Sequence, residues 1–222
     1  MATTVQATTR EPSPAAAPAP LRPWYRDRTR QLLAAIIVAI VVALVGWFVV
    51  ASGERKEQFA ARSLNQARAA AEAGNLPLAS SELQRLITTY RGTDAASEAV
   101  IALNQIRLIN GQNELAAVGL RQFLAGEPPE QFVAPAYGLL AAALENARRW
   151  DEAGEAYTQA SNVAEVDYLK SEYLVDAGRA YAEGGKLEEA ERAYRTVLEK
   201  YADSPSFTEA QVRLAELTDG RM

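Results

Sequence analysis

The feature that most constrains this chain is a self-similar pattern that returns every 37 residues. Its marker is an alanine just after a turn, and the four copies are Ala79, Ala116, Ala153 and Ala190. Five residues before them stand Gly74, Gly111, Arg148 and Gly185, and four residues after them stand Leu83, Leu120, Tyr157 and Tyr194. A helix–turn–helix unit with a small residue in its seam cannot bury its apolar face alone, so the copies must stack. The pattern predicts an all-α solenoid.

The last copy is the clearest one. The sequence GRAY at 178–181 is followed by GKLEEAERAY at 185–194, and Gly184 and Gly185 separate the two parts. Each glycine disfavours a helix by about 1 kcal/mol relative to alanine, so the pair marks a turn between two helices. This copy resembles a tetratricopeptide repeat (TPR), as does RRWDEAGEAY at 148–157. The two earlier copies are degenerate, since Asn104 and Arg107 replace the small and aromatic residues of the first helix.

The resemblance covers roughly residues 57–218 and implies a definite architecture. We expect a right-handed TPR-like α-solenoid of four helix pairs, closed by a C-terminal capping helix near 207–218. In that helix Val212, Leu214 and Leu217 would cover the last pair. The usual repeat is about 34 residues long. We therefore expect longer connections between repeats, such as residues 90–97 and 201–208, to account for the longer period.

A second signal is the apolar segment QLLAAIIVAIVVALVGWFVVASG, residues 31–53, which contains no charged residue. About 20 such residues suffice for a helix to cross a bilayer. The segment is longer than the apolar region of a signal peptide and lacks a clear cleavage site, so a retained anchor is favoured over a cleaved leader or a buried core helix. Aromatic residues near both ends are typical of membrane interfaces.

The flanking charges predict how the anchor is oriented. Arg22, Arg26, Arg28 and Arg30 precede the segment, and the positive side of a span stays in the cytoplasm. We expect a Pro/Ala-rich cytoplasmic tail with a basic flank at 1–30, a transmembrane helix at 31–53 and an extracytoplasmic solenoid at 54–222. In a Gram-negative cell this describes a single-pass inner-membrane protein with a periplasmic repeat domain.

Composition narrows the chemistry that is open to the chain. There is no cysteine and no histidine, so the commonest nucleophile–base pairs and metal ligands are missing. No phosphate-binding glycine loop is present, and we expect no catalytic, cofactor or metal site. Residues 54–222 carry a net charge of −8, which disfavours nucleic acid, whose binding relies on basic side chains. We therefore expect a non-enzymatic protein without a cofactor.

The resemblance also indicates where a partner would bind. In TPR solenoids the first helix of each pair lines the groove, and the candidate groove residues are Ile101, Gln105, Leu108, Ile109, Leu139 and Arg179. No lysine occupies the column that holds a partner's C-terminal carboxylate in clamp-type members, so we expect no such clamp. The apolar members of the set are compatible with a seat for an apolar peptide or helix. The alternative is that these side chains only pack on the neighbouring helix.

The predicted transmembrane helix has a face of small residues, namely Ala35, Ala39, Ala43 and Gly46. Small residues allow another helix to approach closely in a bilayer. This face is our candidate for packing on a partner's transmembrane helix. The alternative is a chance distribution in an alanine-rich segment.

Two functional hypotheses follow. The first is a membrane-anchored protein–protein interaction module, an adaptor or chaperone-like subunit, whose architecture resembles the ancillary subunit of the SecYEG translocon. The second is a permanent structural subunit of a larger integral membrane complex, of the respiratory, photosynthetic or assembly type. Both imply contact with the lipid bilayer and with integral membrane or envelope proteins or peptides, and neither implies nucleic acid.

Overall fold

The computed structural model describes residues 25–219 of the chain. Of the predicted tail at 1–30, residues 1–24 lie outside the described residues, and residues 25–30 belong to the first helix. The nine α-helices of the described part are α1 (Tyr25–Glu72), α2 (Leu76–Thr89), α3 (Asp94–Ile109), α4 (Asn113–Ala125), α5 (Val133–Asn146), α6 (Trp150–Val163), α7 (Asp167–Glu183), α8 (Leu187–Lys200) and α9 (Phe207–Asp219). A short 3-10 helix, Glu130–Phe132, precedes α5, and no strand occurs between residues 25 and 219. The all-α prediction is confirmed.

The chain divides into two compact units, the first ending at Ala51 and the second beginning at Ser52. In the first unit, the large apolar side chains between residues 32 and 50 are each between 52% and 68% exposed. By length and composition α1 is the one described helix that could cross a membrane. The predicted boundary between residues 53 and 54 lies inside α1, because no helix-breaking residue pair separates the apolar segment from the first repeat.

In the second unit the helices form the four predicted pairs, α1 with α2 through α7 with α8, and α9 follows them. Every pair is joined by the same turn, with Gly74, Gly111, Arg148 or Gly185 in the left-handed region at φ between 58° and 78°. At Gly185, its N–H donates to the Ala182 carbonyl and the Lys186 N–H donates to the Tyr181 carbonyl. The same two bonds recur at the other three turns. This arrangement is a Schellman motif, which satisfies the last carbonyls of the first helix.

The core of the second unit is built from small side chains in close contact. The four alanines that mark the repeat, Ala79, Ala116, Ala153 and Ala190, are completely buried, and we call them the seam alanines. Tyrosine rings occupy the space beside glycines, where a larger residue would place a side chain. A Cβ added to Gly178 would lie 2.5 Å from Cε1 of Tyr194. The pattern of small and large residues seen in the sequence is therefore the packing pattern of the helix pairs.

Neighbouring repeats are also joined by ion pairs that recur at the 37-residue spacing of the repeats. Arg149 pairs with Glu114 at 3.0 Å, and Lys186 pairs with Asp151 at 3.1 Å. Both residues of the second pair stand 37 positions after those of the first. In the first repeat, Glu57 accepts hydrogen bonds from the backbone N–H groups of Asp94 and Ala95 at 2.9 Å, so its carboxylate caps α3.

Three core clusters divide the second unit between them. The first joins α1, α2 and α3, the second joins α4 to α7, and the third joins α7, α8 and α9. The boundary between the first two falls inside the second repeat. There Asn104 and Arg107, the degenerate positions of the sequence, stand on α3 opposite Gly119 of α4.

Two details of the predicted architecture were wrong. The connection at 90–97 is shorter than expected, because Thr93 accepts a hydrogen bond from the Ala96 N–H and α3 already begins at Asp94. The longer period is partly held in long first helices, since α3 has 16 residues and α7 has 17. In α9, Leu214 and Leu217 pack against the last pair as predicted, but Val212 is 51% exposed, whereas Ala210 is completely buried. The close approach of α9 to the last pair admits a methyl group at that point and leaves the larger side chain outside.

The turn at Arg148 generates a stability prediction. A left-handed conformation costs a residue with a Cβ about 1–2 kcal/mol, and glycine avoids this cost at an entropic penalty of about 0.5–1 kcal/mol. Arg148 is exposed and makes no ion pair with the described residues. We expect Arg148→Gly to raise the free energy of unfolding by up to about 1 kcal/mol, measured by urea denaturation. Gly185→Arg is the reciprocal control and should lower it; a lower midpoint for Arg148→Gly would contradict the assignment.

Candidate protein-binding surface

The first helices of the second unit carry the surface that lines the groove in TPR solenoids, and we call it the inner face. Its regular column stands eleven residues before each seam alanine and consists of Arg68, Gln105, Ala142 and Arg179. Arg68 and Gln105 are exposed, whereas Ala142 and Arg179 are half-buried. The column fifteen residues before each seam alanine is different, because Leu64 and Val175 in it are buried in the core.

A cavity of about 550 Å³ opens on the inner face between the end of α1, α2 and α3. It brings together three of the predicted groove residues, Ile101, Gln105 and Ile109, and Ile109 is 72% exposed. Apolar side chains of α2 form another part of the lining, and an ion pair between Arg68 and Glu98 lies among the lining residues. The cavity thus has an apolar wall beside a polar pair, the composition of a seat for an amphipathic peptide.

Leu108 and Leu139 lie elsewhere. Both are partly buried and pack against the core cluster of α4 to α7, and Ile101 also contacts this cluster. For Leu108 and Leu139 the packing alternative, which the sequence left open, describes the observed position. The apolar character of these two positions holds α3 and α5 against the rest of the core.

Arg179 is the centre of a half-buried polar network. Its guanidinium pairs with the carboxylates of Glu145 on α5 and of Asp176, the latter at 2.7 Å. Tyr157 on α6 donates a hydrogen bond to Glu145 Oε2 at 3.0 Å. Burial raises the pKa of the Asp176 carboxyl above its usual value, although Arg179 acts in the opposite direction. Since both of its acidic partners are internal, Arg179 positions α7 against α5 and α6.

Sequence reasoning missed Glu145, Tyr157 and Asp176 as partners of Arg179. The contact joins residues 145 and 179, which are 34 positions apart, close to one repeat length. A search for opposite charges about one repeat apart on first helices would have found the pair.

The sequence also missed a second cavity, of about 600 Å³, between α2, α3 and α4. Asn104 and Arg107 lie in its lining, together with apolar side chains and the segment from Gly126 to Pro129. The sequence did contain a signal for this cavity. In this degenerate repeat, polar residues stand at the positions where the pattern has a small and an aromatic residue.

The predicted transmembrane packing face belongs to the first unit. Ala35, Ala39 and Ala43 are exposed, and a Cβ built on Gly46 would meet no heavy atom within 4 Å. The face is therefore open along its length in the described chain, and its role stays a prediction. Among residues 25–219, no group of three or more acidic side chains is placed to hold a metal ion.

The network around Glu145 generates a pH prediction. Burial raises the pKa of the Tyr157 phenol well above its usual value, and the Glu145 carboxylate adds to the effect. Because the folded state holds this proton more tightly than the unfolded chain, the contribution to stability is full below about pH 10 and is lost as the pH rises further.

We expect Tyr157→Phe to cost about 1 kcal/mol at neutral pH, through the lost hydrogen bond to a carboxylate. Above about pH 10 its stability should fall less steeply than that of the unchanged protein. Urea unfolding at stepped pH measures both effects, and Tyr168→Phe, on an exposed ring, is the control. Parallel pH curves for the Tyr157 variant and the unchanged protein would contradict the assignment.

Solved structures with the same arrangement of helix pairs support the fold. A Podosopora anserina protein described as kinesin light chain with nearly identical TPR-like repeats is 20% identical to this chain, with a TM-score of 0.57. The match covers 72% of this chain and 85% of that protein. A tetratricopeptide repeat protein from Parabacteroides merdae ATCC 43184 is 15% identical, with a TM-score of 0.58, and 73% of this chain covers 61% of it. The apo form of RapI is 12% identical, with a TM-score of 0.58, and 73% of this chain covers 64% of it. The matched region thus spans less than two thirds of the last two proteins, and at these identities the likeness shows the fold alone.

The comparison with curated proteins gives no match. The sequence model described as "Tetratricopeptide repeat-like domain" matches residues 22–219, nearly the whole chain. Stacked repeats of this kind present extended surfaces that bind proteins. With its four Schellman turns, its seam alanines and this match, the chain belongs to the tetratricopeptide repeat-like domain family.

Proposed function

We propose that this protein is a membrane-anchored, non-catalytic adaptor that binds other proteins through its repeats and its span. The more specific role that we favour within this proposal is that of a chaperone-like ancillary subunit of an integral membrane complex. The observation that carries the proposal is the apolar surface of α1 between residues 32 and 50, where every large apolar side chain is more than half exposed. A continuous apolar surface of this kind is stable only against lipid or another apolar surface.

The extent of the family match supports the same view. The match begins at residue 22, so it includes the apolar segment as well as the repeats. A segment that belongs to the family's domain is more than a leader added to this one chain. We infer that the anchor and the repeats work as one protein.

The orientation follows from charge. Arg22, Arg26, Arg28 and Arg30 precede the segment and favour a cytoplasmic N-terminus, which puts the repeats on the other side of the membrane. The repeat region carries a net charge of −8, so anionic headgroups repel it and a protein surface is the better partner. In a Gram-negative cell the repeats would then meet inner-membrane or periplasmic proteins.

The absence of cysteine from the sequence allows a direct test of this topology. Ser13→Cys and Glu188→Cys each introduce a single thiol, the first in the tail and the second at an exposed position of α8. In cells with a permeabilised outer membrane, we expect a membrane-impermeant maleimide to label the Glu188 variant. The Ser13 variant should react only after the inner membrane is opened. The reverse pattern, or equal labelling of both variants, would contradict the proposed topology.

The adaptor role is tested by copurification of the full chain from native membranes in mild detergent. We expect a companion membrane protein to be recovered in fixed stoichiometry. Ala39→Leu with Ala43→Leu should reduce its recovery, since two added side chains would separate the helices. Ile37→Leu with Val41→Leu is the matched control and should retain it. Equal recovery with both pairs would exclude the small-residue face as an interface, and the absence of any companion would overturn the adaptor role.

A further inference from the structure

Arg107 differs from the other half-buried cations among the described residues. Five arginine or lysine side chains are half-buried, and four of them are paired with carboxylates: Arg149, Lys170, Arg179 and Lys186. The guanidinium of Arg107 has no carboxylate of the described residues within 4 Å. Removing a charge from water without a counter-charge is costly, so a protein usually pairs such a group.

The guanidinium of Arg107 is nevertheless held in a defined place. Its Nη1 donates to Oδ1 of Asn104 at 3.0 Å, and Asn104, which is 1% exposed, donates from Nδ2 to the Val100 carbonyl at 2.8 Å. On the facing helix, a Cβ added to Gly119 would lie 2.8 Å from Nη1 of Arg107. A glycine inside a helix is less stable than an alanine, and here it leaves room for the cation.

This guanidinium lies in the lining of the 600 Å³ cavity between α2, α3 and α4. Ile87, Val100, Leu103 and Phe123 give the cavity apolar surface. The charged residues of the lining are Arg91, Arg107 and Glu127, which leave one net positive charge. Burial lowers the pKa of Arg107, but an arginine stays charged at neutral pH. The cavity therefore combines apolar contact area with one uncompensated positive charge.

We propose that this cavity binds a carboxylate of a partner polypeptide, either its C-terminus or an acidic side chain next to an apolar residue. Arg107 forms the paired hydrogen bonds that a guanidinium offers a carboxylate, and the apolar side chains receive the neighbouring residue. One net positive charge matches a singly charged group, whereas a doubly charged phosphate would be incompletely neutralised and more strongly repelled by Glu127. The site lies between the second helices α2 and α4, away from the column of the inner face where clamp-type members carry lysine.

The inference rests on the proposed function, because it assigns a chemical class to the partner. Its probes are fluorescein-labelled Ala-Ala-Ala-Leu with a free C-terminus, the same peptide as its amide, and Ala-Ala-Asp-Leu amide. Fluorescence polarisation with the full chain in dodecyl maltoside measures binding. We expect the two carboxylate-bearing peptides to bind about tenfold more tightly than the neutral amide. The difference between the first and third peptides distinguishes a C-terminal carboxylate from an acidic side chain.

Arg107→Met should remove the preference for carboxylate, and Gly119→Ala should weaken it by displacing the guanidinium while keeping its charge. Arg192→Met, on an exposed arginine of α8 that lines neither cavity, is the control and should retain the preference. The urea midpoint of Arg107→Met should change little, since removal of a half-buried unpaired charge offsets the loss of its hydrogen bond to Asn104. Four results would overturn the proposal: equal binding of all three peptides, no binding at about 1 mM, unchanged binding by Arg107→Met, or tighter binding of a phosphoserine peptide.

The copurification experiment keeps the two proposals separate. If Arg107→Met retains the companion in full while the small-residue face variant loses it, the adaptor role stands and the carboxylate site is excluded as its contact. If the unchanged chain recovers no companion, the adaptor role fails, whatever the peptides show. A companion that is lost with Arg107→Met and kept with Arg192→Met supports the carboxylate site.

Discussion

The close approach of paired helices at the seam alanines is the constraint on which the repeat region depends. With only a methyl group at Ala79, Ala116, Ala153 and Ala190, the two helices of a pair can pack so tightly that these residues are completely buried. The left-handed turn before each of them reverses the chain within three residues and satisfies the last carbonyls of the first helix. Everything else, including the rings of Tyr181 and Tyr194 over glycines, fits around that spacing.

The same constraint explains how much the sequence could predict. The number of helix pairs, their turns and the seam follow from steric requirements that allow few residue types, so they were visible as a period of 37 residues. The capping helix was placed correctly and Leu214 and Leu217 pack on the last pair as predicted, but Val212 is exposed and Ala210 is buried in its place. A search for helical periodicity selects the larger apolar residue as the buried one, whereas the close approach of two helices leaves room only for the smaller residue.

The binding surfaces were less predictable than the fold. Ile101, Gln105 and Ile109 do meet at one cavity of the inner face, but Leu108 and Leu139 serve the core. Cavities arise where side-chain volumes fail to fill the space between helices, and this depends on contacts between repeats. Arg107 and Gly119 lie on the two helices of a predicted pair, but the repeat pattern does not show that this guanidinium lacks a carboxylate partner. Whether a polar residue is paired also depends on tertiary structure, as the internal partners of Arg179 show.

The division of the core at the second repeat has a consequence for how this region fluctuates. The cluster of α1 to α3 and the cluster of α4 to α7 meet where Asn104 and Arg107 replace apolar residues, and Ile101 and Leu108 are the α3 side chains in the second cluster. Cooperative opening in repeat proteins follows such boundaries, since each repeat is stabilised by its neighbours. We expect amide hydrogens on the two sides of this boundary to exchange as separate cooperative groups, with the last part of α1 joined to α2 and α3. A ligand that bridges α3 and α4 would then merge two independently opening segments into one, and its presence would be felt as rigidity far from the atoms that it touches.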